Sequence, residues 1–351
     1  MKVEFQKKLG YVILNLGIRD LLRLVPISPF IVEFRVTENC NSHCVMCNAW
    51  KNKFINELST EEAKDALRQL RDIGVNVMIF IGGEPLLRPD IGELVKEASL
   101  LKFPIILLVT NGLLLEDKAR ELLENGITHI TVSVDSIGQG HDAIRGIPGI
   151  FEKAIRGVKT VQKLKEEMNL NVAVTLITNM LMKQNVDMIP QVVELSRNLG
   201  VYWDFNLLDS NLDLFKGISL PEISTEDKKK IDKTIDYLTE VRRESPGLMS
   251  SCEHMLKFAR KYLKKENLDD FHCVHGYEAL HIRSNGEVHP CWILEPIGNL
   301  REAKLRDIVG TKKHRELAER IYIKDCPGCT NLCPLNVKSR YLISHRLSCG
   351  R

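Results

Sequence analysis

The sequence has no excess of either charge and no segment typical of an export signal. Its net charge is +3 over 351 residues, so no strong electrostatic field indicates a nucleic-acid or acidic-protein partner. The N-terminus has no basic region followed by an apolar core and a small-residue cleavage site, which argues against secretion. Tandem repeats and low-complexity tracts are also missing. These absences predict a cytosolic globular protein with no nucleic-acid partner.

Cysteine, in contrast, is abundant, with ten residues grouped at spacings typical of metal ligands. The first group is Cys40-x3-Cys44-x2-Cys47, directly after an apolar run at 30–34 that is typical of a strand. Three thiolates are one ligand short of closing a cubane iron–sulfur cluster or a tetrahedral metal site. A site left open by the protein can bind a reactive ligand. One alternative is a zinc site completed by His43 or by a distant residue.

A short amphipathic segment at residues 11–25 precedes the first strand. It is too short and too charged to span a bilayer, and its apolar residues at 14, 18, 21, 22 and 25 share one helical face. A helix packed on the protein body explains this pattern. The alternative is an interfacial helix, giving a membrane-associated protein, whose headgroup contacts would come from Lys7, Lys8, Arg19 and Arg23.

Between residue 30 and about residue 209, short β-rich runs alternate with helical patterns, which is typical of successive βα units around a parallel sheet. The predicted strands are at 31–36, 76–81, 104–109, 129–134, 171–177 and 202–207. The predicted helices are at 61–73, 91–101, 116–125, 151–168 and 187–199. A capping box at Ser59 opens the first helix and Gly126 closes the third. The fold class is therefore α/β, with a partial (β/α)6 TIM-like barrel.

The composition changes after residue 209. A loop-like stretch is followed by two predicted helices rich in Lys and Glu, at 225–243 and 252–267, and cysteines dominate from residue 273 onward. We therefore predict three parts: an N-terminal segment at 1–29, the barrel at 30–224 and a C-terminal α+β domain at 225–351.

The second predicted strand ends in Gly82-Gly83-Glu84-Pro85. The glycines would let the backbone approach a ligand closely, and the carboxylate can accept hydrogen bonds from an ammonium group. Taken alone, a structural turn explains this run equally well. Ligands gather at the carboxyl ends of parallel strands, however, and the cysteine loop also follows a strand there. Both motifs are therefore expected at one edge of the sheet.

Together these motifs resemble the radical S-adenosylmethionine (SAM) superfamily. The resemblance covers about residues 30 to 210 and continues in Thr110-Asn111-Gly112, in Ser133-Val134-Asp135-Ser136 and in the run from His141 to Gly146. It implies a [4Fe–4S] cluster on Cys40, Cys44 and Cys47, with the remaining iron chelated by SAM. Reductive cleavage of SAM would then yield a 5′-deoxyadenosyl radical that acts on an unactivated carbon of the substrate.

The resemblance also implies roles for individual residues. The methionine amino group would be held by Gly82, Gly83 and Glu84, which belong to the motif that ends at Pro85. Asn111 belongs to the motif after the third strand, and the ribose and carboxylate contacts would come from Ser133, Asp135 and Arg145. Where the family often has an aromatic residue before the last cysteine, this sequence has Met46, so adenine would contact a thioether.

A second cysteine set is similar to the SPASM and twitch extensions of that superfamily, which hold auxiliary iron–sulfur clusters. A hairpin turning at 284–287 would bring Cys273 and Cys291 together. The resemblance implies at least one auxiliary cluster, on Cys273, Cys291, Cys326 and Cys329, with Cys333 and Cys349 as further candidate ligands. Seven cysteines remain after the first group, whereas two cubanes held only by cysteine need eight. Cys252 is expected in the core, and a zinc site is the alternative for this set.

The resemblance implies an oxygen-sensitive enzyme that receives electrons from a donor such as flavodoxin or ferredoxin. Three substrate classes are compatible: a peptide, a lipid, or a cofactor precursor such as a tetrapyrrole. About thirty residues precede the first strand, so a leader-peptide-binding domain is not expected, and no cobalamin-binding domain is evident. Histidines in the C-terminal half are candidate proton donors. The rival hypothesis outside catalysis is an electron-transfer or cluster-carrier protein.

Overall fold

A computed structural model describes residues 27–51, 56–180, 184–207, 224–267, 273–322 and 325. The predicted N-terminal helix at 11–25 lies outside these residues, as do four of the cysteines, Cys326, Cys329, Cys333 and Cys349. None of the helices described has both the length and the apolar character of a membrane span.

The strands of the described residues form one sheet of nine, in the order β6-β5-β4-β3-β2-β1-β7-β8-β9. They are β1 (Ile31–Thr37), β2 (Val77–Gly82), β3 (Ile105–Thr110), β4 (His129–Ser133), β5 (Ala173–Met180), β6 (Tyr202–Leu207), β7 (Ala279–Ile282), β8 (Glu287–His289) and β9 (Gly298–Asn299). Strands β1 to β6 are parallel neighbours in chain order, which confirms the predicted βα units.

The helices cover the outer face of this sheet or follow it in the C-terminal part. They are α1 (Thr60–Asp72), α2 (Ile91–Leu100), α3 (Leu115–Glu124), α4 (Gln139–Arg145), α5 (Ile150–Glu167), α6 (Ile189–Asn198), α7 (Thr225–Glu244), α8 (Glu253–Leu263), α9 (His275–Glu278), α10 (Leu305–Ile308) and α11 (Lys312–Tyr322). The α/β class and the partial TIM-like barrel with a C-terminal part are confirmed. The short helix α4 was not predicted.

The predicted capping box begins α1. The Ser59 hydroxyl accepts from the Glu62 backbone N–H (3.3 Å), and the Glu62 carboxylate accepts from the Ser59 N–H (2.8 Å). Such a cap stabilises a helix start by about 1 kcal/mol. The helix then buries its apolar face, including Leu67 and Leu70, against the sheet. Local sequence therefore fixes where this helix begins, and burial fixes which face it turns inward.

The two faces of the sheet are distinct. Val32 and Phe34 of β1 belong to the large core shared with the helices, while Ile31 belongs to a smaller cluster on the opposite face with Ile79 and Leu107. Because side chains alternate along a strand, Ile31, Ile79 and Leu107 face the interior of the partial barrel. We call this inner side the lumen.

The C-terminal part continues the barrel sheet. Strand β7 pairs in parallel with β1, from Ile31 opposite Ala279 to Phe34 opposite Ile282, and β8 then pairs with β7 as a hairpin. Gly286 turns the hairpin with φ of +88°, a conformation that favours glycine. The sequence predicted the hairpin but not its attachment to β1. Residues assigned to a separate C-terminal domain therefore extend the strand order of the barrel.

Candidate active site

One cavity of about 150 Å³ lies at the carboxyl ends of the parallel strands. It is lined by Cys40, Ser42, Cys44, Met46, Cys47, Ala49, Ile81, Gly82, Gly83, Glu84, Val109, Thr110, Asn111, Ser133, Arg145 and Asn179. The structure thus brings together ten residues that the sequence analysis singled out for the barrel site. Two others, Pro85 and Asp135, are buried and do not line the cavity.

The cysteine loop is anchored by short backbone hydrogen bonds. His43 and Val45 donate to the carbonyl oxygens of Arg145 (3.0 Å) and Ile144 (2.9 Å), so the loop pairs with the end of α4. Gly146 follows with φ of +69°, and a Cβ there would lie 2.4 Å from the His43 carbonyl oxygen. Helix α4 therefore holds the loop from one side.

Burial raises the pKa of the Cys40 thiol to about 12 and also raises the pKa of Cys47. Thiols in this environment become thiolates only when a nearby cation offsets the cost of burying the charge. Arg145 supplies part of that charge, because its Nη1 lies 3.8 Å from the Cys44 Sγ. Iron ions would supply the rest.

The donor set fits an iron–sulfur cluster. Within the part of the chain that the structure describes, no group of three or more Cys, His, Asp or Glu side chains converges on one metal ion. The three thiols instead border a common cavity, as required when each binds a different iron of one cluster. His43, the proposed fourth zinc ligand, is exposed and packs its ring against Trp50 with centroids 5.1 Å apart. The geometry therefore favours a cluster over a single zinc ion.

The two glycines allow the second strand to approach the cysteine loop. Gly83 and Glu84 donate backbone hydrogen bonds to the carbonyl oxygens of Thr37 (2.9 Å) and Asn39 (2.8 Å). A Cβ would lie 2.5 Å from the Thr37 oxygen at Gly82 and 2.2 Å from the Asn39 oxygen at Gly83. The glycines were expected to let a ligand approach, whereas a Cβ at either position would meet this loop first.

Glu84 is a buried carboxylate that receives three hydrogen bonds. Its Oε1 accepts from the Leu86 N–H (3.1 Å) and the Thr110 hydroxyl (2.8 Å), and its Oε2 accepts from the Asn111 N–H (2.7 Å). Burial nevertheless raises the pKa of Glu84 to about 7. A ligand ammonium group in the cavity would favour the ionised form, so this carboxylate fits the expected amino-group contact.

Asn111 ties the third strand to the cysteine loop. Its side-chain Nδ2 donates to Asn41 Oδ1 (2.8 Å) and to the Ser42 hydroxyl (2.9 Å), while its Oδ1 accepts from the Leu113 N–H (2.9 Å). The side-chain amide of Asn111 therefore makes its hydrogen bonds to other residues of the protein. Asn111 therefore positions the loop, and Ser42, which sequence analysis had not singled out, is its partner.

Asp135 is fully buried and paired with Arg145. Its Oδ2 lies 2.7 Å from the Arg145 Nε, and its Oδ1 accepts from the Asn179 N–H at 2.8 Å. Burial alone would lower the pKa of Arg145, but the Asp135 carboxylate raises it above its ordinary value. The structure thus places Ser133 and Arg145 on the cavity and Asp135 behind Arg145.

Several cavity residues were not found from the sequence. Ile81 and Val109 share the lumen face with Ile79 and Leu107, so the alternation along β2 and β3 could have identified them. Asn179 has no such signal, because a single polar residue at the end of a strand is common.

A polar group made of the buried His275 and His281, Trp292 and the half-buried Glu33 lies on the lumen between β1 and β7. Glu33 Oε2 accepts from Trp292 Nε1 (2.7 Å) and lies 3.1 Å from His281 Nδ1, whose Nε2 lies 2.5 Å from His275 Nε2. Burial would raise the pKa of Glu33, but its hydrogen bonds to His281 and Trp292 lower it to about 2. Two of the candidate histidines are therefore beside the barrel, and Glu33 and Trp292 were not singled out from the sequence. His314 instead contacts the Gly276 carbonyl oxygen at 3.0 Å.

Two candidate auxiliary ligands lie within the described residues. Cys273 is half-buried just before α9, and Cys291 is buried after β8. The other candidates, Cys326, Cys329, Cys333 and Cys349, lie outside these residues. Cys252 is buried in the core at the start of α8, as predicted.

Comparison with known families agrees with this geometry. Residues 34–196 match the family described as "Radical SAM superfamily", and residues 273–330 match SPASM, an "Iron-sulfur cluster-binding domain". The chain belongs to the radical SAM superfamily. The first match contains the three cysteines and every cavity residue, and the second contains Cys273, Cys291, Cys326 and Cys329.

This radical SAM protein is similar in sequence, over most of its length, to enzymes of known name. It is 29% identical over 300 residues to an AdoMet-dependent heme synthase of Methanosarcina barkeri, covering 80% of this chain and 82% of the relative. It is also 29% identical over 284 residues to the sporulation killing factor maturation protein SkfB of Bacillus subtilis, covering 80% of this chain and 64% of SkfB.

Solved structures of radical SAM proteins share the fold. Streptococcus suis SuiB, bound to the precursor peptide SuiA, superposes with a TM-score of 0.67 at 16% identity, covering 89% of this chain and 71% of SuiB. Native anSMEcpe with bound AdoMet gives a TM-score of 0.63 at 19% identity, covering 86% of this chain and 84% of anSMEcpe. The expected family, enzyme class and cofactors are therefore confirmed: a [4Fe–4S] cluster, SAM and auxiliary iron–sulfur binding. The cluster-carrier hypothesis is not supported.

Proposed function

We propose that this radical SAM enzyme modifies a tetrapyrrole in the formation of a haem-type cofactor. The observation that carries the proposal is the extent of the match to three AdoMet-dependent heme synthases. These alignments cover 80%, 79% and 81% of this chain and 82%, 74% and 79% of the relatives. Because these alignments of about 300 residues are longer than the matched SAM domain, the similarity extends beyond the residues that line the cavity.

We assign the residues of the cavity as follows. Cys40, Cys44 and Cys47 hold the cluster, which when bound supplies the electron that cleaves SAM. Glu84 receives the methionine ammonium, supported by its burial and by the three donors that fix its orientation. Arg145 binds the methionine carboxylate with Asp135 holding it in place, and Ser133 and Met46 contact the nucleoside.

The apolar part of the lumen surface, on β2 and β3, excludes water from the radical. Ile81 and Val109 line the cavity, and Ile79 and Leu107 continue the same surface one step back along β2 and β3. A surface without polar hydrogens near the radical limits side reactions with solvent. We therefore assign to these side chains the protection of the radical before it reaches its substrate.

We further propose that the C-terminal domain, 225–351, holds one auxiliary cluster on Cys273, Cys291, Cys326 and Cys329. Seven cysteines remain outside the barrel site, so a second cubane ligated only by cysteine has too few ligands. The electron donor is a small carrier of the flavodoxin or ferredoxin class.

A peripheral membrane contact through residues 11–25 would show as loss of liposome flotation when that segment is deleted, and unchanged flotation would contradict it.

The substrate proposal is tested with the anaerobically reconstituted full chain, SAM, dithionite and Fe-coproporphyrin III as the probe. The expected result is 5′-deoxyadenosine formation that increases with the porphyrin, together with a porphyrin product of altered mass. Formation of 5′-deoxyadenosine with an unchanged porphyrin would contradict the tetrapyrrole proposal while leaving the SAM chemistry intact.

A peptide is the second candidate substrate, favoured by the SkfB alignment over 80% of this chain. That alignment covers less of the relative, 64% of SkfB, which is why the tetrapyrrole is preferred. Mass spectrometry of the molecules released from anaerobically purified enzyme separates the two classes. A bound porphyrin supports the first candidate and a bound peptide the second.

A further inference from the structure

A continuous set of hydrogen bonds begins at Arg301, in the C-terminal part just after β9. Its guanidinium Nη1 donates to the Asn56 carbonyl oxygen (3.2 Å) and its Nη2 to the Glu57 carbonyl oxygen (3.1 Å). The same group binds the Glu62 carboxylate in two places, with Nε to Oε1 at 2.7 Å and Nη2 to Oε2 at 3.1 Å. One side chain thus holds both the start of α1 and the chain before it.

Glu57 carries the connection to the cysteine loop. Its Oε1 accepts from the Thr37 hydroxyl (2.9 Å) and from the Glu38 backbone N–H (2.7 Å). Thr37 ends β1, and Cys40 follows three residues later. A single carboxylate oxygen therefore fixes the direction in which the chain leaves β1 toward the first cysteine.

The C-terminal hairpin supports the same segment from another side. The Ser284 carbonyl oxygen accepts from the Leu58 N–H (2.6 Å), and the Ser284 hydroxyl donates to the Glu38 carboxylate (3.4 Å). Residues 56–58 are thus held between the C-terminal part and the loop that carries the cysteines.

The arrangement requires arginine. Four of its contacts depend on a planar fork that donates to two carbonyl oxygens and a carboxylate at once, which a lysine ammonium cannot reproduce. Arg301 does not line the cavity, and of the groups it contacts, residues 56–57 are the ones that Glu57 connects to the cysteine loop.

We propose that Arg301 is a positioning residue for the SAM site, acting through Glu57 to hold the cysteine loop in the geometry that turns its thiols to the cavity. The proposal rests on the assignment of the cluster to Cys40, Cys44 and Cys47. It makes the C-terminal part a structural component of the radical-generating site as well as the carrier of an auxiliary cluster.

The first test measures hydrogen exchange in the full chain without its cofactors, using peptides that cover residues 37–47. Arg301→Gln should speed exchange there by about tenfold, because the Glu38 amide loses its fixed acceptor. Lys304→Gln is the matched control, since Lys304 also joins the C-terminal part to α1, through Asp65 at 3.1 Å, without reaching residues 56–57. Unchanged exchange in Arg301→Gln, or equal acceleration in Lys304→Gln, would overturn the proposal.

The second test uses the reconstituted enzyme with dithionite and SAM. Arg301→Gln should lower the rate of 5′-deoxyadenosine formation by about tenfold and alter the electron paramagnetic resonance spectrum of the reduced, SAM-bound cluster. Glu57→Ala should reproduce both effects, the double variant should add little, and Arg301→Lys should restore only part of the rate. An unchanged spectrum in Arg301→Gln would overturn the proposal. Altered loop exchange in a chain that cleaves no SAM would support the coupling and contradict only the cluster assignment.

Discussion

The carboxylate of Asp135 lies 2.7 Å from the Nε of Arg145, and both side chains are buried beside the cysteine loop. Arg145 reaches from this pair to the Cys44 Sγ at 3.8 Å, and its backbone carbonyl oxygen accepts from His43. The pair therefore links β4, α4 and the cysteine loop. A cation held in this way is available to an anionic ligand in the cavity without moving.

Asp135→Asn should leave the Arg145 charge buried without its carboxylate. Loss of one partner of a buried ion pair costs about 3 kcal/mol, so the free energy of unfolding of the apoprotein should fall by that amount. SAM should also bind more weakly to the reconstituted enzyme. Chemical denaturation and a SAM titration measure the two effects. Glu124→Gln, which breaks the exposed pair with Arg120, is the control and should change neither. Equal stability of the two variants would contradict this account.

The pH dependence of SAM binding should report Glu84. Its pKa is raised to about 7 by burial, so below pH 7 it holds a proton and cannot pair with an ammonium group. SAM affinity should therefore rise as the pH passes upward through about 7. In the apoprotein, the free energy of unfolding changes with pH in the opposite direction. Because the pKa of Glu84 is higher in the folded chain than in the unfolded chain, Glu84 contributes stability below its unfolded pKa, and this contribution is lost as the pH rises through about 7.

Glu84→Gln separates this group from the other titrating groups. The variant should bind SAM weakly, and its affinity should not change with pH on either side of about 7. Equilibrium titration of the reconstituted enzyme with SAM, repeated at several pH values, measures this. A profile that keeps the wild-type slope in the variant would assign the pH dependence to another residue.

The sequence was sufficient to predict the first six strands, because they are short β-rich runs separated from one another by amphipathic helices. It also placed the cysteine loop and the glycine motif at one edge, since both follow strands that are parallel neighbours. These features depend on local pattern and on a general property of parallel sheets, which explains why they could be derived without a structure.

Other features depend on contacts distant in sequence. The pairing of β7 with β1 joins residues about 250 positions apart, and no local pattern in Ala279–Ile282 specifies that partner. Glu57 is one of 46 acidic residues, and only the fold brings it to Thr37. The burial of Asp135 behind Arg145 likewise follows from packing of α4 and not from the motif that contains it.

Gly83→Ala should disrupt the site through its backbone. The added Cβ would lie 2.2 Å from the Asn39 carbonyl oxygen, so either the cysteine loop or β2 must shift. Iron and sulfide analysis after reconstitution should show loss of about one cluster per chain, with the auxiliary cluster retained. Gly247→Ala is the control, because a Cβ there meets nothing within 4 Å. Full cluster content in Gly83→Ala would show that the contact is not required.

The most direct test compares the full chain with Cys44→Ala after anaerobic reconstitution, dithionite reduction and addition of SAM. The central claim is that three thiolates leave one iron of a cubane open to SAM. It predicts 5′-deoxyadenosine and methionine from the natural chain, and neither from the variant, which should retain the spectrum of an auxiliary cluster. Undiminished 5′-deoxyadenosine formation by Cys44→Ala would contradict it.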